Sequence, residues 1–333
     1  MDKVEKLENR DYSISMIRCF SMCLIICCHM MQYLQMELAW WFNVGVQIFL
    51  CISGYLYGSD KKRENTIVFY KKQFSKILID YYVVIIPTIF IYFIFARDNI
   101  NYKIAVDVFL TSNTLNGGGH LWFIAYILFC YFITPFLIDF YTYLEMKGGG
   151  IWKLTSWTLL LLIMFLLICT RFFPYFNPAI ISCYIMGFFL RRIHRYDRRI
   201  LDASILLFAF IMNFLKIMNN YIVSFSFLSI MGSYWLMFCD YAHMILGCAI
   251  FVILYKNFSR FKFTNSTTVL FFFSDKYSYD IYLVHQFLIL GPFSLMELSP
   301  FLWGNILFII LTSILLACLV QKVSVFIKNL LHL

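Results

Sequence analysis

The stretch Arg18–His29, RCFSMCLIICCH, places an arginine and a histidine at the two ends of a mostly apolar segment. Its apolar character predicts a membrane-spanning helix. At ~1.5 Å and ~100° per residue, the two polar side chains lie ~16 Å apart along the helix axis and point from one face. A face that only met lipid would gain nothing from these residues. The spacing therefore indicates a helix that lines a polar region inside a bundle.

The composition of the whole chain is that of a membrane protein. Its 333 residues are 62% hydrophobic and 14% charged, and the mean hydropathy is +0.78. No soluble core needs so many long apolar runs, so an ordinary soluble domain is excluded. The net charge of +9 is explained by basic cytoplasmic loops, and no nucleic-acid partner is expected. The 11 cysteines form neither a CxxC pair nor a Cys/His cluster, so we expect no metal and no disulfide framework.

Apolar windows of about 20 residues predict an all-α polytopic membrane protein with about ten transmembrane helices. No soluble domain is left over, so residues 1–333 are interpreted as a single membrane-embedded domain. The first segment is interpreted as retained, because no small-residue cleavage site follows it. The predicted segments are 13–34, 40–57, 77–97, 120–141, 154–173, 176–191, 200–217, 233–255, 277–294 and 302–326.

The distribution of basic residues orients the predicted helices. With the N-terminus in the cytoplasm, four of the 27 lysines and arginines fall on the outer side, and Arg18 lies within the first segment. All the others fall in cytoplasmic segments, as the positive-inside rule requires. We therefore predict that the N-terminus and the C-terminus are both cytoplasmic. The four outer residues are Arg97, Lys103, Arg171 and Lys216.

Ionisable residues at membrane depth are costly, so Arg18 and His29 are both candidates for function. Arg18 suits phosphate or carbonyl oxygens, although a purely structural arginine would reach to the inner headgroups. A neutral imidazole at His29 suits general-base work on a hydroxyl, although a structural histidine would form an interhelical hydrogen bond instead. The cluster Lys71, Lys72 and Lys76 is predicted on the same side as Arg18 and would attract a phosphorylated ligand.

Four segments carry further patterns: NRDYSISMIRCFSMCLIICCH (9–29), VGVQIFLCISGYLYGS (44–59), GGGHLWFIAYILFCYFITPFL (117–137) and YSYDIYLVHQFLI (277–289). The first separates its arginine and histidine by ten residues. The others contain Ser-Gly-Tyr-Leu, His-Leu-Trp-Phe and Tyr-Leu-Val-His in turn. Each pattern alone is weak, but the four in this order resemble the integral-membrane acyltransferase 3 family over nearly the whole chain.

The resemblance implies an O-acyltransferase of cell-surface glycans in the plasma or inner membrane. It implies acyl-CoA, expected to be acetyl-CoA, as the co-substrate that enters from the cytoplasm. The implied acceptor is a hydroxyl of a surface polysaccharide or of its lipid-linked precursor, on the far side of the bilayer. Carried over to this chain, Arg18, Lys72 and Lys76 hold the acyl-CoA, and His29 takes the proton from the acceptor hydroxyl.

Two positions depart from the pattern of the family. Ser15 stands where many members have an acidic residue three positions before the arginine. Gln73 stands where a basic Arg-x-x-Arg pair usually begins, so only Lys76 matches that pair, and conservatively. A lysine lacks the guanidinium fork, so the grip on the phosphates is expected to involve Lys72 or Lys71 as well.

The two later motifs supply the remaining candidates. His120 and Trp122 are candidates for the acceptor side, because His120 follows three glycines at the outer end of its segment; the alternative is an exposed loop histidine without a role. His285, Asp280 and Tyr282 are further candidates in the last motif. For His285 and Asp280, a structural interhelical hydrogen bond competes with a role in catalysis.

A second class of function fits the same topology, a membrane transporter or exporter of a glycan or lipid, because helices with buried charges can also line a transport path. His29 separates the two classes. An enzyme without it would still deliver its polymer to the surface, whereas an exporter would not. No internal repeat is visible, which disfavours the inverted-repeat transporters. A purely structural subunit explains neither the spacing of Arg18 and His29 nor the lysine cluster.

Overall fold

A computed structural model describes residues 11–59, 65–148, 150–173, 176–195, 199–217, 233–261 and 265–331 of the chain. Within these residues the backbone forms twelve α-helices and four 3₁₀ turns, and no strand. The helices are α1 (Tyr12–Tyr33), α2 (Ala39–Phe42), α3 (Val44–Tyr57), α4 (Thr66–Phe95), α5 (Tyr102–Phe109), α6 (Trp122–Met146), α7 (Ile151–Phe172), α8 (Pro178–Arg192), α9 (Arg199–Ile217), α10 (Ser233–Phe258), α11 (Asn265–Leu290) and α12 (Leu302–Leu330). The turns are Arg97–Asn99, Gly119–Leu121, Ile193–Arg195 and Leu295–Glu297.

Each of the ten predicted segments coincides with helix, and the predicted all-α polytopic membrane fold is confirmed. Seven helical stretches among the described residues are long and apolar enough to cross a membrane. The first ten residues and the last two lie outside the described residues. The number of ten spans and the cytoplasmic placement of both termini therefore stay predictions.

Two predicted segments have the wrong start. α4 begins at Thr66 and α11 at Asn265, well before the predicted starts at 77 and 277. The prediction placed each start where the charged residues stop, but a helix satisfies its backbone hydrogen bonds internally and can continue beyond the apolar layer. The side chain of Asn65 caps α4 by accepting a hydrogen bond from the Ile67 N–H at 2.9 Å. The lysine cluster therefore lies on the first turns of α4, and not in a loop.

The described residues group into two compact units, of which the first comprises those within 1–21, 43–62 and 134–268. In this unit α8 packs against α3, α7 and α10. Hydroxyl pairs connect its buried aromatic side chains: Thr134 and Tyr184 are 2.6 Å apart, and Tyr141 and Thr158 are 2.8 Å apart. Such pairs satisfy polar groups that lipid cannot solvate.

Glycines allow α3 and α8 to approach at backbone distance. A Cβ on Gly54 of α3 would overlap the carbonyl oxygen of Tyr184, and a Cβ on Gly187 of α8 would overlap the carbonyl oxygen of Cys51. Membrane helices associate through this kind of small-residue contact, because apolar burial gives little gain in lipid and close packing supplies the attraction. The Gly-Tyr-Leu run at 54–56 is thus part of a helix crossing.

The second unit comprises the described residues within 22–42, 63–133 and 269–333. Here α12 packs along α4, and Lys328 of α12 forms an ion pair with Asp80 of α4 at 2.6 Å. Met30, Ile289, Met296 and Ile309 form a buried apolar cluster. This packing brings the C-terminal half of α1 and the C-terminal half of α11 into the same core.

Candidate active site

Three histidines meet in the second unit. His29 lies on α1, His120 lies in the Gly119–Leu121 turn that precedes α6, and His285 lies on α11. The ring centroid of His285 is 5.1 Å from that of His29 and 5.4 Å from that of His120, and the His29 and His120 centroids are 6.4 Å apart. We call these three residues the histidine cluster. It unites residues from three of the four motifs.

The glycine run before His120 carries that residue into the core. Gly117 has a φ of +73°, a conformation that glycine adopts without strain, and a Cβ there would overlap the Cα of Gly291. A Cβ on Gly119 would lie 3.3 Å from the amide nitrogen of Gln286. The turn therefore packs directly on α11. His120 is only 2% exposed, so the alternative of an exposed loop histidine is wrong.

Gln286 connects two members of the cluster. Its Oε1 accepts a hydrogen bond from the backbone N–H of His120 at 2.5 Å and lies 2.5 Å from the Nδ1 of the same residue. Its Nε2 lies 3.3 Å from the Nδ1 of His29. The buried amide of Gln286 is thus hydrogen-bonded to the backbone of His120 and in close contact with the ring of His29. Gln286 was not among the predicted site residues, although a glutamine beside His285 inside an apolar helix is a signal of interhelical hydrogen bonding.

His29 is held through one side of its ring. Gln32, three residues further along α1, lies with Oε1 at 2.7 Å from Nδ1 of His29. An amide oxygen accepts only, so this bond places the proton on Nδ1 and leaves the lone pair on Nε2. Gln32 is exposed and His29 is 9% exposed. Gln32 was not predicted either, although residues three apart share a helix face.

His120 is fixed by three contacts to α11. Its Nδ1 faces Gln286, its Nε2 lies 3.1 Å from the carbonyl oxygen of Leu283, and its own carbonyl accepts a 2.5 Å hydrogen bond from the Tyr282 hydroxyl. Tyr282 was a candidate site residue, and in the structure its hydroxyl group holds the Gly119–Leu121 turn against α11. Trp122 is half-buried, with its ring 5.3 Å from that of Tyr126.

Among the residues that the structure describes, His285 makes hydrogen bonds only to its own helix. Its Nδ1 donates to the carbonyl oxygens of Ile281 and Tyr282, at 3.1 and 2.8 Å. Its Nε2 has no hydrogen-bond partner among the residues that the structure describes. The alternative of an interhelical hydrogen bond from His285 is therefore wrong for this part of the chain.

Asp280 belongs to a second group of polar residues, on α11 and its neighbours. It lies close enough to Asp80, Lys76, Lys276 and Lys328 for their charges to act on it. Asp280 is 2% exposed, and its Oδ1 has no hydrogen-bond partner within the described ranges. Five residues of helix rise separate it from His285, or ~7.5 Å along α11. Asp280 thus lies in an ionic group beside the histidine cluster and not within it.

The predicted acyl-CoA contacts lie on two helices. Lys72 and Lys76 are exposed, four residues apart on one face of α4. Gln73 between them is buried and uncharged, so it adds no positive charge to this exposed face. Arg18 is half-buried on α1, the helix that also carries His29. Although three histidines meet in the cluster, no set of His, Cys, Asp or Glu in the described residues has the geometry of a metal site.

The model of the acyltransferase 3 family, described as an acyltransferase domain, matches residues 11–321, nearly the whole chain. The chain belongs to the acyltransferase 3 family. As a member with several membrane-length helices, this acyltransferase 3 protein is a multi-pass membrane acyltransferase. Comparisons with curated proteins and with solved structures gave no match.

The structure of this acyltransferase 3 protein gives the four motifs different places. The histidines of the motifs at 9–29, 117–137 and 277–289 meet in the second unit, whereas the motif at 44–59 lies in the first unit and packs against α8. The contacts of Gly54 with α8 give the Ser-Gly-Tyr-Leu motif a packing role. In this acyltransferase 3 protein, the candidate active site is therefore the histidine cluster together with Gln32 and Gln286.

Proposed function

We propose that the chain transfers an acyl group, which we expect to be acetyl, from cytoplasmic acyl-CoA to a hydroxyl of a surface polysaccharide or of its lipid-linked precursor. One observation carries the proposal. Gln32 accepts the Nδ1 proton of His29 at 2.7 Å, so Nε2 carries the lone pair that can meet a substrate. An acyltransferase needs such a base, because a hydroxyl is a weak nucleophile until its proton is removed.

The proposed role of His29 is to accept the proton of the acceptor hydroxyl. As Nε2 takes this proton, the ring becomes an imidazolium whose Nδ1–H points at the Gln32 amide oxygen, 2.7 Å away. That oxygen stabilises the positive charge and keeps the ring in one orientation. The proton is then given to the sulfur of the departing CoA, so the base returns to its neutral form. A positioned base of this kind contributes ~10²–10⁴-fold to the rate.

Cationic side chains support an acyl-CoA donor. Lys72 and Lys76 present two exposed charges on one face of α4, and phosphate oxygens form strong hydrogen bonds with such groups. Arg18 adds a guanidinium, whose fork matches phosphate or carbonyl oxygens. We assign these three residues to the CoA moiety, which is a co-substrate and not a resident cofactor.

The acceptor side is assigned to Trp122. Its half-buried ring offers an apolar face of the kind on which a sugar ring can stack. Both ring nitrogens of His120 already face carbonyl oxygens of the protein. We therefore give His120 the role of holding Gln286 in place, and not that of contacting the glycan.

The test uses purified full-length protein in nanodiscs with radiolabelled acetyl-CoA and a hydroxyl-bearing glycan acceptor. Wild type is expected to release CoA and label the acceptor, and His29→Ala to lose ~10²–10⁴-fold of that rate. Lys72→Ala, Lys76→Ala and Arg18→Ala should raise the KM for acetyl-CoA. Lys103→Ala, an exposed lysine on α5, is the matched control and should leave the KM unchanged. A wild type that neither binds nor turns over acyl-CoA would contradict the proposal.

A further inference from the structure

The Nε2 atom of His285 is an unsatisfied group in the centre of the candidate site. The residue is fully buried, at 0% exposure. Both contacts of Nδ1 are carbonyl oxygens, which only accept hydrogen bonds, so the proton of the neutral ring is on Nδ1 and the lone pair is on Nε2. That lone pair has no partner among the described residues. A buried hydrogen-bond acceptor without a partner costs free energy, and native structures seldom contain one without a reason.

The other two rings of the cluster are committed elsewhere. His120 has a carbonyl oxygen at each ring nitrogen, and His29 has its Nδ1 between two amides. The His285 ring lies 5.1 Å from His29, centroid to centroid. A small reacting group at Nε2 of His285 would therefore lie beside the proposed base. Because the Nε2 lone pair of His29 is assigned to the proton of the acceptor, the Nε2 lone pair of His285 is the one that the proposed function leaves unused.

We propose that Nε2 of His285 is the nucleophile that carries the acyl group between donor and acceptor. This inference rests on the proposed acyl-CoA-dependent function and adds a covalent step to it. A neutral imidazole is a good nucleophile toward a thioester, and a covalent intermediate divides one difficult transfer into two easier ones. The assignment gives the unpaired Nε2 a use that a structural role does not give it.

The first half of the reaction forms an acyl-imidazolium. The Nε2 lone pair attacks the thioester carbonyl carbon, the N–C bond forms, the C–S bond breaks, and CoA leaves as a thiolate. The ring now carries a positive charge with its proton on Nδ1. The carbonyl oxygens of Ile281 and Tyr282, at 3.1 and 2.8 Å from Nδ1, stabilise that charge.

The second half regenerates both histidines. The acceptor hydroxyl oxygen attacks the acyl carbon while Nε2 of His29 takes its proton; the new C–O bond forms, and the C–N bond breaks with its electron pair returning to His285. The proton on His29 then passes to the CoA thiolate released in the first half, so the net products are the acylated acceptor and the CoA thiol. Because His285 is fully buried, water is kept from the acyl-imidazolium, which would otherwise hydrolyse.

The experiment traps the intermediate. Full-length protein in nanodiscs is mixed with radiolabelled acetyl-CoA without acceptor, quenched rapidly, and assayed for a CoA burst and for protein-bound label that hydroxylamine removes. Wild type should show both, and mass spectrometry should map the acetyl group to His285. His29→Gln should keep the label but lose transfer to the acceptor, because it removes only the proposed base.

Variants at two buried histidines give the comparison. His285→Gln should lose the burst, the label and the transfer, whereas His243→Gln, which removes a buried histidine of the first unit, should keep all three. If wild type transfers acetyl to the acceptor with no burst and no label, or if the label maps elsewhere, the relay is wrong and the acyltransferase function stands. If wild type shows no turnover even with acceptor, the proposed function itself fails. The mapping uses wild type alone, so misfolding of a variant cannot decide the outcome.

Discussion

The chemistry of the histidine cluster depends on which nitrogen of each ring carries the proton, and neighbouring carbonyl and amide groups set this. Gln32 fixes His29 by accepting its Nδ1 proton, and Gln286 accepts a hydrogen bond from the backbone N–H of His120. Backbone carbonyls fix His285. None of these partners is charged, so the rings are oriented by hydrogen bonds in surroundings where a buried charge would be costly.

Replacing Gln32 tests whether the orientation of His29 matters. Gln32→Leu removes the acceptor for Nδ1–H, and the loss of one hydrogen bond, about 0.5–1.5 kcal/mol, predicts a fall in kcat of up to about tenfold. Gln32→Glu keeps an acceptor oxygen and should retain most of the rate. The measurement is acetyl transfer in nanodiscs at saturating acetyl-CoA. Equal rates for the Leu and Glu variants would show that Gln32 does not orient His29.

Two contacts between helices help to determine how the helices pack. The crossing of α3 and α8 depends on Gly54 and Gly187, where each glycine meets a carbonyl of the other helix. The pairing of α4 with α12 includes the ion pair of Asp80 and Lys328. Both contacts replace a hydrophobic driving force, which is weak between helices in lipid, with close packing or charge.

Gly54→Ala should destabilise the first unit. The added methyl would overlap the carbonyl oxygen of Tyr184, and overpacking of this kind costs ~1–3 kcal/mol. Gly150→Ala is the matched control, because a Cβ there meets nothing within 4 Å and its φ of −77° suits alanine. Thermal unfolding in detergent, followed by size-exclusion chromatography, compares the two. Equal melting temperatures would rule out a tight crossing at Gly54.

Lys328→Met should destabilise the packing of α12 on α4. It leaves the Asp80 carboxylate, only 5% exposed, without its cation at 2.6 Å. Because the lysine side chain is 21% exposed, water compensates in part, and we expect ~1–3 kcal/mol. Lys322→Met, an exposed lysine of the same helix, should change stability by less than about 0.5 kcal/mol. Adding Asp80→Asn to Lys328→Met should restore part of the loss; no recovery would mean that the charge pair is not the cause.

Delivery of the polymer separates the two classes of function at the scale of the whole molecule. In cells that carry His29→Ala, the glycan should reach the surface in normal amount but without its acyl group, because the variant removes a base and leaves the bundle intact. Surface glycan is measured by antibody or lectin binding, and acylation by release of acetate with mild alkali. A loss of surface glycan itself, with the variant protein present in the membrane at the wild-type level, would favour the exporter.

The class of fold and most of the helices follow from the amino-acid sequence, because apolar runs of membrane length have few alternatives in a bilayer. The family follows from the sequence too, through motifs that are local in the chain. The early starts of α4 and α11 were not predictable by hydropathy, since a helix can extend past the apolar layer while its hydrophobic signal stops there.

Only the tertiary structure decided the composition of the candidate site. His29, His120 and His285 are far apart in sequence, and their meeting depends on a glycine turn packed against α11. Gln32 and Gln286 gain their significance from one ring nitrogen that both approach. Hydrogen-bond partners across helices are a property of packing, and a linear sequence carries no record of which nitrogen of a histidine is left without one.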